Sequence, residues 1–400
     1  MAVVGDVAEV LEALDGAPLL GVEGLPPARG ARAACRCHGT QAYVAAPRTS
    51  LRSARGSPAA ALALGAMADI PAPPLPTAEE LMERSVVVAL PMRARFRGIT
   101  TREALLIEGP AGWGEFAPFV EYPDEEAAAW LRGALEAAYS GLPAPRRERV
   151  EVNATIPALP PAEAAALVER YPGCRTFKIK VAEPGQHLDD DVARVNAVRE
   201  ARPEARIRVD ANGGWTVKEA AEAAARLGEP EYLEQPCRSA DELRELRGEL
   251  ARLRIDTPVA ADESIRKAAD PFRVARLRAA EVAVLKAAPL GGAGRLLAIA
   301  RELSGHGMSV TVASALDTAV GMNAGLAAAA NLPEGRAAGL ATQRLFEADV
   351  AEPRPLVDGE LPTAPVEPEP ARLAELAAAP GRRDWWLDRL ARCREILALG

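Results

Sequence analysis

The sequence predicts an α/β protein, a (β/α) barrel preceded by a small α+β capping unit. Three observations predict it. From about residue 150, short apolar segments alternate with Ala-, Arg- and Glu-rich helical stretches. Eight such apolar segments occur before residue 345, most followed by a helix, which suits a closed parallel barrel better than an open sheet. The Gly-rich first turn of a doubly wound nucleotide-binding sheet is missing, because neither GxGxxG nor GxxxxGK[ST] occurs.

Residues 1–66 read differently from the rest. An amphipathic stretch runs into Gly-, Ala-, Arg- and Pro-rich sequence without a sustained period, so the segment is expected to be a disordered or non-native extension. Met67 is the expected natural start. The cluster Cys35-Arg36-Cys37-His38 has no second ligand pair and reads as chance rather than a metal site. Residues 67–148 form the expected cap. SVVVALPM and REALLIEG read as strands around the turn RFRGIT, and GWGEF as a third. DEEAAAWLRGALEAAYSGL reads as a helix with acidic residues in its first turn, ended by Pro143 and Pro145.

The barrel is expected over 149–345. Its strand candidates are VEVNATI, TFKIKV, RIRVDAN, YLEQP, PVAADES, VAVLKAAP, SVTVAS and AAGLAT. Residues 346–400 are expected to pack back on the cap and barrel, with Trp385-Trp386 as anchor.

Composition narrows the function. A net charge of −8 argues against a general nucleic-acid binder. Five cysteines in 400 residues do not make a disulfide framework, which points to a reducing, cytoplasmic setting. No apolar run spans a bilayer, so no membrane partner is expected. Oligomeric state is not readable.

The chemistry sits at the strand ends, which in a parallel barrel face the active site. The second strand ends in Lys178-Ile179-Lys180, the third in Asp210, the fourth in Glu234, the fifth in Asp262 and the sixth in Lys286. One such charge alone is a solvated loop residue or a helix cap. Five in order, each one βα unit from the next on an otherwise apolar segment, are not. Three carboxylates on adjacent strands offer hard oxygen ligands suited to Mg²⁺, with Mn²⁺ as substitute. Lys178 and Lys180 share a strand face, so one lysine is expected to lower the other's pKa and prepare it as a general base. Glu263 and Asn212 stand beside the ligands and are expected to orient them.

KIK, VDANGGW, LEQP, ADES and VLKAAPLGG resemble the enolase superfamily and in particular its muconate lactonizing enzyme subgroup, over roughly residues 82–350. The resemblance implies Mg²⁺ on Asp210, Glu234 and Asp262, with Lys180 as acid/base, Lys178 beside it and Lys286 on the opposite face. It also implies proton abstraction α to a carboxylate of a small-molecule substrate, through an enediolate. The mandelate racemase branch would carry a His near strand seven, where this chain has Thr311-Val312-Ala313-Ser314. Dipeptide epimerases would carry Asp-x-Asp near strand eight, where this chain has Gly339-Leu340-Ala341-Thr342. RFRGITTREALLIEGPAGWGEFAPF is similar to the o-succinylbenzoate synthase family, dehydratases of menaquinone synthesis. N-succinylamino acid racemase, muconate cycloisomerase and a catalytically dead binding scaffold remain the alternatives. Arg95 or Arg97 in the first cap loop would either meet a substrate carboxylate or stand as a solvated loop arginine, and Gly291, Gly292 and Ser314 would donate hydrogen bonds to such a carboxylate. The same glycines could instead make a turn, and Ser314 cap a helix.

Overall fold

The computed structural model describes residues 71–96, 99–266, 270–333 and 336–399, without the side chains of 94–96. The expectations for residues 1–66, for Met67, for the Cys35–Cys37–His38 cluster, for Arg97 and for the Arg95 side chain therefore lie outside the described residues.

A short helix, α1 (Ala78–Glu83), opens the described chain, N-capped by Thr77. Three strands follow, β1 (Ser85–Phe96), β2 (Ile99–Gly109) and β3 (Gly112–Phe116), in one antiparallel sheet of that order. The strands run further into the RFRGIT segment than its turn-like composition suggests, and Phe96 pairs with Ile99 across it. The helix α2 (Asp124–Leu135) has three acidic residues in its first turn and continues into a π-helical turn, Glu136–Ser140. Its buried face, including Trp130, Leu131 and Leu135, covers the sheet. Gly114 and Gly109 permit that approach. A Cβ on Gly114 would stand 2.0 Å from the Ala134 carbonyl oxygen, and one on Gly109 2.1 Å from that of Ala138.

The expected first barrel strand divides in two. β4 (Arg149–Glu151) pairs antiparallel with the late strand β12 (Glu360–Pro362), whereas β5 (Ala154–Ile156) enters the parallel sheet. Helices and strands then alternate as α3 (Pro161–Val168), β6 (Thr176–Lys180), α4 (Leu188–Ala201), β7 (Arg206–Asp210), α5 (Val217–Arg226), β8 (Tyr232–Glu234), α6 (Ala240–Leu253) and β9 (Val259–Ala261). They continue as α7 (Asp270–Leu277), β10 (Val282–Leu285), α8 (Ala287–Leu290), α9 (Ala293–Gly305), β11 (Ser309–Val312) and α10 (Met322–Asn331). Thr216 and Ser239 close capping boxes with Glu219 and Glu242, which fixes where α5 and α6 start.

The sheet contains seven parallel strands in chain order, β5 to β11. The expected eighth strand, AAGLAT, is not a strand. Ala338 and Gly339 instead make single parallel bridges to Val152 on one side and Ala313 on the other. Gly339 also lies close enough to Ala313 that a Cβ there would stand 3.3 Å from the Ala313 methyl. The small residues allow the approach but leave too short a run for a ladder.

After β12 come α11 (Pro370–Glu375) and α12 (Pro380–Leu399). The last helix returns to the cap. Trp386 is fully buried, donates from Nε1 to Glu103 Oε2 at 3.0 Å and meets Phe116 edge-on at 5.8 Å. Trp386, Leu390 and Cys393 thereby share one apolar cluster with Leu105, Phe116 and Trp130, separate from the cluster inside the parallel sheet and its helices. Among the described residues no helix is long and apolar enough to cross a membrane.

Candidate active site

The parallel register carries the charges to one level. Lys180 is the Cα partner of Asp210, and Asp210 that of Glu234. Asp262 follows β9 directly and Lys286 follows β10. Asp210 and Glu234 are 1% exposed and Asp262 4%, so these carboxylates need partners.

The lysines provide them. Lys178 Nζ lies 2.9 Å from Glu234 Oε1 and 3.0 Å from Asp210 Oδ2. Lys180 Nζ lies 2.7 Å from the same Asp210 oxygen and donates to Asn212 Oδ1 at 2.7 Å. Lys286 Nζ donates to both oxygens of Asp262, at 2.6 and 2.7 Å. Burial works against ionised Asp210, but Lys178 and Lys180 outweigh it and hold that carboxyl well below the usual range. Asp262 is lowered in the same way, its burial offset by Lys286 and Arg266. Glu234 goes up, to about 7, because burial and the neighbouring Asp210 outweigh Lys178. Burial also works against the Lys178 ammonium, yet Asp210, Glu234 and Tyr232 overcome it and raise its pKa well above the ordinary lysine value. Lys178 is thus a firmly held cation.

The expectation of three carboxylates gathered on one point is met only in part. Among the described residues no three His, Cys, Asp or Glu side chains are grouped closely enough to hold a metal ion as they stand. The ammonium groups lie among them instead. Two observations nevertheless fit a cation. Glu234 Oε2 is buried without any hydrogen-bond partner. The oxygens of Asp210, Glu234 and Asp262 are the hard donors that Mg²⁺ or Mn²⁺ takes.

Four supporting side chains explain how the strand ends are held. Asn212 has φ +45° and its N–H donates to Asp210 Oδ1 at 3.1 Å, so the turn after β7 orients that carboxylate. Asn212 Nδ2 donates to Glu263 Oε1 at 3.2 Å. Gln235, fully buried, accepts from the N–H groups of Asp262 and Ser264 at 3.0 and 3.1 Å and donates to the Cys237 carbonyl at 2.8 Å. It ties the end of β8 to the end of β9. Buried Arg194 of α4 donates to the Leu159 carbonyl at 2.6 Å and the Lys180 carbonyl at 3.1 Å. Sequence reasoning named Asn212 and Glu263 but missed Gln235 and Arg194. Gln235 carried a usable signal, a polar residue directly after a strand-end carboxylate.

The remaining sequence-predicted residues lie elsewhere or are committed elsewhere. Gly291 and Gly292 sit in the seam between barrel and cap. The Gly291 carbonyl accepts from Arg132 at 3.0 Å, and a Cβ on Gly292 would stand 2.2 Å from Glu136 Oε2. Glu136 Oε1 accepts from the Gly294 N–H at 3.0 Å, so a cap residue closes the start of α9. A small cleft in that seam, of about 20 Å³, is lined by Glu115, Gly133, Gly292, Asp317 and Gly321 among others. Ser314 Oγ accepts from the Leu316 and Asp317 N–H groups at 2.9 and 3.1 Å and contacts Asp317 Oδ2 at 3.0 Å. It closes the turn after β11 and caps no helix, since the next one, α10, starts at Met322 with Gly321 at its N-cap.

Comparison with known proteins agrees with this architecture. The Enolase N-terminal domain-like family matches residues 87–138 and the Enolase C-terminal domain-like family residues 161–368. The o-succinylbenzoate synthase of Mycolicibacterium smegmatis is 58% identical over 327 residues, covering 81% of this chain and 99% of that protein. That of Mycobacterium tuberculosis is 58% identical over 329 residues, covering 81% and 98%. That of Mycobacterium leprae is 57% identical over 327 residues, covering 81% and 95%. Among solved structures, the muconate lactonizing enzyme from Pseudomonas fluorescens complexed with muconolactone has a TM-score of 0.62 at 24% identity, over 74% of this chain and 98% of that one. An isomerase from Streptomyces coelicolor has a TM-score of 0.62 at 23% identity, over 74% and 96%. These structures share the fold. With both enolase-like domains present and its sequence aligned along nearly the whole length of these relatives, the chain belongs to the enolase superfamily and, within it, to the o-succinylbenzoate synthase family.

Proposed function

We propose that the chain is an o-succinylbenzoate synthase that removes water from 2-succinyl-6-hydroxy-2,4-cyclohexadiene-1-carboxylate with a divalent cation at the strand ends, in menaquinone synthesis. The observation that carries the reading is the set of three buried carboxylates on adjacent strand ends interleaved with three lysines. The parallel sheet, bridged through Ala338 and Gly339, is read as a closed barrel with this set at its mouth.

Asp210, Glu234 and Asp262 would hold the cation. Bound there, Mg²⁺ supplies a Lewis acid that steadies negative charge developing on the substrate carboxylate. Lys180 takes the proton α to that carboxylate. The electron pair of the broken C–H bond forms the new ring double bond as the C–O bond breaks, and Lys180 returns its proton to the departing hydroxyl, giving water. One base thus serves both halves of the elimination on one face. Positioned proton transfer of this kind contributes about 10²–10⁴-fold. Lys286 stands across the site as a cation against the anionic ring. Lys178 stays charged and keeps Asp210 ionised. Buried Cys174, Cys237 and Cys393, all free thiols, suit a cytoplasmic enzyme.

The test is a dehydration assay on metal-stripped protein. Activity should disappear with EDTA and return with Mg²⁺ or Mn²⁺, and Lys180→Ala should lose about 10²–10⁴-fold in kcat. Efficient racemisation of N-succinylamino acids without dehydration would overturn the assignment.

A further inference from the structure

The side chains at the end of β9 belong to a line of hydrogen bonds that leaves the barrel. Lys180 Nζ donates to Asn212 Oδ1 at 2.7 Å, and Asn212 Nδ2 to Glu263 Oε1 at 3.2 Å. Arg266 Nη2 donates to that same Glu263 oxygen at 2.7 Å and stands 3.5 Å from Asp262 Oδ2. Its other terminal nitrogen, Nη1, reaches the Tyr122 hydroxyl at 3.4 Å. Tyr122 is a cap residue, in the loop between β3 and α2. Its ring lies 5.8 Å from Phe119 and 6.2 Å from Trp130. The loop is gripped from behind by buried Arg389 of α12, which donates to the Phe119 carbonyl at 3.2 Å and the Tyr122 carbonyl at 2.5 Å.

We propose that Arg266 is a positioning residue: through Glu263 and Asn212 it aligns the Lys180 ammonium, and through Tyr122 it ties that alignment to the docked cap loop. The inference rests on Lys180 being the acid/base group. The geometry separates this role from simple support of Asp262. Arg266 is 0.8 Å nearer to Glu263 than to Asp262, and Asp262 already has both oxygens on Lys286. Glu263 in turn has one oxygen shared by Asn212 and Arg266, while its Oε2 is buried without a partner. Removing Arg266 would leave Glu263 held only by the 3.2 Å contact from Asn212 and free to turn. Asn212 would then lose the fixed acceptor that aims its own oxygen at Lys180. A small displacement of a proton-transfer group costs rate rather than binding.

The test uses the full chain with metal, comparing steady-state dehydration with Mn²⁺ affinity measured by electron paramagnetic resonance. Arg266→Gln should lower kcat about 10- to 100-fold with KM and the Mn²⁺ dissociation constant within about threefold of the parent. Tyr122→Phe should lower kcat about threefold, and the double variant should be no slower than Arg266→Gln alone, because both break one line. Arg266→Lys should recover part of the rate. A folded Arg266→Gln variant with parental kcat would overturn the proposal, as would losses that multiply in the double variant. So would Mn²⁺ affinity falling in step with kcat. Where Arg266→Gln does not fold, Tyr122→Phe, which removes one hydroxyl, at parental kcat overturns it. Lys180→Ala is measured alongside: a kcat within about tenfold of the parent there overturns the acid/base assignment, whereas a Lys180→Ala slowed by about 10²–10⁴-fold beside unimpaired Arg266→Gln overturns the positioning role alone.

Discussion

Asp349 is a carboxylate whose environment opposes its charge. It is 3% exposed, accepts from the Ala319 and Val350 N–H groups, and burial pushes its pKa up to about 6. The folded state therefore holds the proton to higher pH than the unfolded chain does, so stability falls as pH rises from about 4 through 6. Asp349→Asn removes this titration. Unfolding free energies of parent and variant from urea titrations should diverge in the variant's favour by about 2–3 kcal/mol between pH 4 and 7. Parallel curves would contradict it. Single residues also mark what could be read from sequence. The five strand-end charges were legible because each interrupts an apolar run. The state of Lys178 was not. Its neighbouring lysine was visible in sequence, but the carboxylates that lie 2.9 and 3.0 Å from it belong to other strands, and they decide the sign of its shift. Gln235, Arg194 and Arg266 were missed for a related reason. Their partners lie 14 to 144 positions away or depend on backbone turns that the side-chain pattern does not encode.

Among the elements, the contact of β3 with α2 is the least forgiving. Two backbones meet where Gly114 faces the Ala134 carbonyl, and no rotamer change relieves an added methyl there. Gly114→Ala should cost about 3 kcal/mol or more, seen as a lowered denaturation midpoint, unless the helix shifts. The same mutation should leave the strand-end charge cluster in register, since the parallel sheet does not depend on this contact. The three cap strands, their helix and the alternating barrel units were legible because their periods are strong. The split of VEVNATI and the reduction of AAGLAT to two bridges were not. Both depend on β12 and on the two sheet edges arriving at residues 149–153 and 338–339 from distant parts of the chain.

For the molecule as a whole, the cap is built from both ends of the described chain. Arg382 pairs with Glu103 at 2.5 Å, Trp386 fills the space beside Phe116, and Arg389 holds the loop that carries Tyr122. A chain ending at Ala379 should lose this wall. Its thermal unfolding should split into two transitions, with increased binding of a hydrophobic dye and loss of dehydration activity. One transition at the parental temperature would show that α12 is dispensable. The Trp pair was the sequence signal for this helix, but its destination needed the fold.

The distance between those partners also sets a schedule for synthesis. Phe116 leaves the ribosome roughly 270 residues before Trp386. At about 5–20 residues per second, the apolar side of the cap sheet waits some 15–50 s for the helix that covers it. During that interval the barrel strands can pair while the cap remains unfinished, and the nascent cap is the part of the chain that most needs chaperone protection.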